Sequence, residues 1–75
     1  MTLDLLKIGE QAKVVAINCQ GFLRTRLADL GLLPGTLIEP IMRSPMGDPV
    51  AYSVRGSVIA IRREDAAMIE VERAG

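Results

Sequence analysis

Residues 23–35 carry the strongest constraint on the fold, because they end a helix and start a strand within a few positions. Leu23, Leu27 and Leu30 recur at helical spacing, Gly31 stands where a helix end favours a left-handed residue, and Leu32 follows it. That order predicts a Schellman-type stop in which Leu32 folds back onto Leu27. Leu33-Pro34-Gly35-Thr36 then places proline second and glycine third, the chemistry of a type II turn. A second block, Ser44-Pro45-Met46-Gly47-Asp48-Pro49, sets two prolines and a Gly-Asp pair between apolar runs and reads as a shaped loop.

Around these blocks the periodicity predicts short strands. Residues 11–18 contain the run Val14-Val15-Ala16-Ile17, suited to a buried strand. Residues 21–30 form the helix, with Arg24, Thr25, Arg26 and Asp29 facing water opposite the leucine stripe. Residues 36–42 form the next strand, and Pro40, which cannot donate to a ladder, places that strand at an edge or gives it a bulge. In residues 50–55 Val50, Tyr52 and Val54 share a face, and Gly56 suits a tight hairpin into residues 57–62. There Val58 and Ala60 share one face, Ile59 and Ile61 the other. A short helical or 3₁₀ turn at residues 64–67 leads to a last strand at residues 69–72. The fold class is mainly β: a small, partly open SH3-like barrel of about five strands, with a helix inserted between the first two main strands and a short 3₁₀ turn before the last. A five-stranded barrel with another strand order satisfies the same periodicity.

All 75 residues are expected to form one domain, residues 1–75, burying only about 60% of the surface its unfolded chain exposes. Nine basic and nine acidic side chains cancel, so no global field recruits nucleic acid or an anionic membrane. The charge is unevenly placed. Residues 21–63 carry six arginines against Asp29, Glu39 and Asp48, whereas residues 64–75 carry four acids against Arg73, so a mildly basic patch is expected. Cys19 is the only cysteine, which excludes an internal disulfide and points to a reducing cytoplasm. Residues 1–10 lack the basic start and apolar core of a signal peptide, and no apolar stretch approaches the ~20 residues that span a bilayer.

The same composition limits the chemistry. Without histidine and with one cysteine, a two-His-one-carboxylate metal site is excluded; Asp29, Asp48, Glu64 and Asp65 would meet only through the tertiary fold. No nucleophile-and-base pair is recognisable, and Gly31 to Gly35 lacks the Lys-Ser or Lys-Thr of a phosphate-binding loop. The expectation is a non-enzymatic domain with no catalytic residue, no cofactor and no metal ligand set. Gly31, Pro34, Gly35, Pro45, Gly47, Pro49 and Gly56 shape the backbone, with Asp48 hydrogen-bonding its own loop, and Leu27 and Leu30 belong to the same structural signature. Partner contact falls to Arg24, Arg26, Leu32 and Leu33. For Leu33 two readings stay open, an exposed contact or a cap on the barrel mouth.

The ordered motifs resemble the FeoA family over nearly the whole chain. The resemblance rests on the Arg-Leu-x-x-Leu-Gly-x-x-Pro-Gly pattern from Arg26 to Gly35, the Pro-x-Gly-Asp-Pro loop from Pro45 to Pro49, Arg55-Gly56, and Ile61-Arg62-Arg63-Glu64-Asp65. It implies an SH3-like barrel and an accessory role in ferrous iron uptake. The implied partner is the cytoplasmic GTP-binding region of a FeoB-like permease, reached from the cytoplasm at the inner face of the membrane. Similar domains end iron-dependent repressors of the DtxR type, but this chain has no DNA-reading helix pair. Alternative readings are a metalloregulator-type domain, direct ferrous iron binding, and nucleic-acid binding by Arg24, Arg26, Arg43 and Arg55. Neutral net charge and scarce aromatics weigh against the last. Self-association through an edge strand containing Pro40 is permitted.

Overall fold

Alternation of inward apolar and outward polar side chains produces five antiparallel strands in a computed structural model that describes residues 1–74. They are β1 (Ala12–Ile17), β2 (Leu37–Arg43), β3 (Val50–Val54), β4 (Ser57–Ile61) and β5 (Ile69–Arg73). Their hydrogen-bonded order is β4-β3-β2-β1-β5. Helix α1 (Phe22–Asp29) fills the β1–β2 connection, a single turn α2 (Arg63–Ala66) precedes β5, and a 3₁₀ turn (Leu3–Leu5) opens the chain.

One core serves all five strands. Val50, Tyr52 and Val54 of β3 are buried, as are Ile59 and Ile61 of β4, Ile69 and Val71 of β5, and Ala12 and Val14 of β1. A sheet can place the inward residues of all its strands in one core only by coiling, and two register shifts supply the bend. One falls between Val14 and Ala16 opposite β5, the other between Pro40 and Met42 opposite β3. β4 and β5 end the strand order without pairing to each other, so the barrel stays partly open as expected. At about 1.5–3 kcal/mol per fully buried aliphatic side chain, residues such as Leu3, Leu32, Ile38 and Ile69 supply the main driving force. Tyr52 is buried among them, and that burial, with a smaller contribution from Asp4, pushes its phenol above its ordinary value.

Several expectations need correction. Of the two readings of Pro40 the bulge holds and the edge does not: β2 lies between β3 and β1, and the register shifts between Pro40 and Met42. The Pro40 carbonyl accepts from the Gly9 N–H at 2.9 Å, and pairing between copies through a Pro40 edge loses its basis. The turn before β5 is α-helical, because the Ala66 and Ala67 N–H groups donate to the carbonyls of Arg62 and Arg63 four residues back. Val15 is exposed: it is the residue skipped in the β5 register, where Val14 pairs with Val71 and Ala16 with Glu70. Asp48 does not bond its own loop. Its Oδ1 accepts from the Arg63 N–H at 2.8 Å, satisfying a donor at the start of α2 that the helix itself cannot use.

Candidate functional site

The exit of α1 forms as its glycine pattern dictates. Gly31 has φ +92°, its N–H donates to the Ala28 carbonyl at 3.0 Å, and the Leu32 N–H donates to the Leu27 carbonyl at 2.9 Å. Those two bonds define the Schellman motif. Gly35 repeats the positive φ at +92°, and the Thr36 N–H donates to the Leu33 carbonyl at 3.0 Å, closing the type II turn. The Thr36 hydroxyl joins the two devices, accepting from the Leu33 N–H and donating to the Gly31 carbonyl, each at 3.2 Å. The Gly35 N–H then donates to the Val14 carbonyl at 2.7 Å, anchoring the exit to β1. Beside this exit, where a Cβ on Gly31 would lie 3.0 Å from the Arg55 Cδ, Arg55 (φ +50°) and Gly56 (φ +82°) form the two-residue turn between β3 and β4. Positive φ at both positions is the type I′ hairpin geometry.

This exit decides which leucines serve the core. Leu27 is buried and Leu23 packs partly against the core, but Leu30 is 40% exposed, a departure from the expected stripe. The chain has already left the helix at Leu30 (φ −84°, ψ 0°), and the reversal through Gly31 sends Leu32 inward in its place. Leu32 has no accessible surface, so of the four expected contact residues it has nothing to present to a partner. Leu33 is 46% exposed at the turn, so it is not a buried cap. Arg24 and Arg26 are both exposed on α1.

Between α1 and β4 lies an open groove of about 460 Å³. Phe22, Leu23, Arg26 and Leu30 form one wall and the length of β4 the other, with Arg62 and Asp65 at the end. Arg26 is the one expected contact residue in its lining; Arg24 and Leu33 lie outside it. Phe22 was not singled out from the sequence, yet it is 82% exposed. Its signal was present: an aromatic residue one position off the Leu23 stripe, directly after Gly21, cannot share the buried face of so short a helix. Val58, 67% exposed, was placed on a face with Ala60, but periodicity could not tell which face was wet.

The other candidate sets do not converge. Among the described residues, no three Cys, Asp or Glu side chains stand close enough to hold a metal ion. Arg43 and Arg55 sit at opposite ends of the β2–β3 pair, where Arg43 opposes Val50 and Val54 opposes Ile38, so the two do not share one basic patch; Arg55 alone lies against Gly31 at the α1 exit. No helix among the described residues is long and apolar enough to cross a membrane.

A five-stranded, partly open barrel with a short helix inserted after its first strand is a small SH3-like domain. The model of the FeoA domain family matches residues 1–73, and the chain belongs to the FeoA family. It is 39% identical over 72 residues to a Porphyromonas gingivalis Fe(2+) transport protein A/Fe(2+) transporter FeoB fusion protein. That match covers 96% of this chain and only 8% of the relative, so the chain spans a small fraction of the fusion protein's length. The solution structure of FeoA from Chlorobium tepidum superposes with a TM-score of 0.95 at 33% identity, covering 100% of this chain and 71% of the other. The crystal structure of Stenotrophomonas maltophilia FeoA complexed with zinc, described as a prokaryotic SH3 domain protein, gives a TM-score of 0.83 at 25% identity. It covers 96% of this chain and 89% of that one. The family is thus associated with ferrous iron transport.

Proposed function

We propose that this chain is a non-enzymatic accessory protein of ferrous iron uptake that acts in the cytoplasm by binding the GTP-binding region of a FeoB-type permease. One observation of its own surface carries the reading: α1 and its exit expose Phe22, Leu30 and Leu33 together with Arg24 and Arg26. Interfaces favour aromatic and arginine side chains, and a small domain gains nothing in stability from leaving them in water. The fusion of a FeoA-like segment with an iron transporter in a relative supports the choice of partner. The role is docking, and any nucleotide chemistry belongs to the permease.

Calorimetric titration of the whole chain with the soluble GTP-binding domain of the permease, with and without nucleotide, tests this reading. Leu33→Ser keeps the urea unfolding midpoint within error and weakens binding about tenfold, the cost of losing one apolar contact of about 1–2 kcal/mol at an interface. Undiminished binding by the variant would move the contact face away from the α1 exit.

A further inference from the structure

The two free edges of the sheet are treated differently. β5 carries charged outward residues, Glu70, Glu72 and Arg73, and its outer backbone is already occupied by the start of the chain. The Val71 N–H donates to the Met1 carbonyl at 2.8 Å, the Met1 ammonium donates to the Val71 carbonyl at 3.2 Å, and Thr2 bridges Glu70. β4, Ser57-Val58-Ile59-Ala60-Ile61, has no charge, no proline and no glycine, the devices that usually protect an edge. In the antiparallel ladder of a two-residue hairpin, Val54 and Ser57 form the closing pair, so Ser57, Ile59 and Ile61 turn their backbone groups toward β3. The N–H and C=O groups of Val58 and Ala60 therefore point away from the sheet, along the side that forms one wall of the groove.

We infer that the β4 edge takes an extended, acidic and apolar peptide segment of a partner protein, added as a sixth strand between β4 and α1. Main-chain pairing with Val58 and Ala60 supplies the register, and Phe22, Leu23 and Leu30 receive alternate side chains of the guest. At about 3.3 Å per residue β4 offers roughly 16 Å of edge, room for about five residues. The charge of the guest follows from the lining. Arg26 and Arg62 border the groove against Asp65 alone, and among the described residues neither arginine has a carboxylate within salt-bridge distance. The groove is walled by α1, and a second copy pairing through its β4 would bring its own α1 to the same edge. The proposal relies on the docking reading only for the identity of the protein that carries the segment.

The test uses the whole chain, labelled for amide exchange, and an acetylated hexapeptide of alternating glutamate and valine. The peptide is expected to slow exchange at Val58 and Ala60 by about tenfold or more at saturation, with Val71 unchanged, and to weaken with salt. A lysine–valine peptide binds more weakly. Val58→Pro removes an outward donor that β3 does not use and abolishes the protection; should that variant unfold, the double change Arg26→Glu and Arg62→Glu reverses the preference between the two peptides. Binding without protection at Val58 and Ala60, or no binding by the glutamate peptide, overturns strand addition. Protection that rises with protein concentration in the absence of peptide, accompanied by a dimer in sedimentation, overturns it in favour of a second copy. No permease is present in this assay, so its failure leaves the titration with the GTP-binding domain standing, and the reverse holds.

Discussion

The two glycine-and-proline connections reverse the chain by different means. Residues 30–36 are closed chiefly by near neighbours: the Schellman bonds, the type II turn and the Thr36 hydroxyl all link residues no more than five apart, and the pairing of Gly35 and Thr36 with Val14 adds a tie to β1. Residues 44–49 have one internal turn, the Gly47 N–H donating to the Ser44 carbonyl at 2.8 Å, and a Ser44–Pro49 bond of 3.2 Å at the neck. Their remaining tie is to another element, from Asp48 to the backbone of Arg63 fifteen residues later. The Ser44 hydroxyl is buried without a partner. A connection closed by near neighbours forms with its helix, whereas one that relies on a distant partner is fixed only when the barrel assembles.

The difference sets an order of sensitivity. Gly31→Val is expected to cost about 1–3 kcal/mol, because a β-branched residue is strained at φ +92°. A Cβ there also meets the Arg55 Cδ at 3.0 Å, but that side chain can move aside, so the backbone dominates. Urea unfolding measures the loss, and an unchanged midpoint would remove the self-held exit from the comparison. Thr36→Val keeps the shape of a nearly buried side chain but leaves the Leu33 N–H and Gly31 carbonyl without their partner, about 1–2 kcal/mol in the same measurement. Asp48→Ala removes the acceptor for the first N–H of α2 and should cost about 1 kcal/mol, in the range of lost helix caps. Faster amide exchange at Arg63 and Glu64, with Gly31 and Leu32 unaffected, would sharpen the contrast. An Asp48→Ala loss larger than that of Gly31→Val would invert it.

Legibility in the sequence follows the same division. The Schellman stop, the type II turn and the hairpin at Gly56 were readable because positive φ is a local demand that glycine meets almost alone. Alternation in β3, β4 and β5 was readable because the period of two is likewise local to the strand. The position of Pro40 in an interior strand was not, since a bulge and an edge leave the same mark on one chain, and only the strand order separates them. Leu30 and Leu32 exchanged places because a three-residue stripe cannot show where the last turn unwinds. The groove was illegible in outline: residues 22–30 and 57–62 meet only through the fold, so Arg26 was found from its helix while Phe22 and Val58 were not.

Tyr52 gives the fold a built-in spectroscopic reporter. It is the only tyrosine of a chain without tryptophan, so near-ultraviolet absorption and emission report mainly on this one site in the core. Its phenol is held above the ordinary value of 10.0, which means that the folded state favours the protonated form. The associated stability is complete at neutral pH and is lost as alkali rises through 10 toward the raised value, where ionisation favours the unfolded chain. An alkaline titration followed by tyrosinate absorbance is therefore expected to show late, cooperative ionisation coinciding with loss of the β-sheet circular dichroism. Gradual ionisation at the ordinary value with the sheet intact would place the hydroxyl in water.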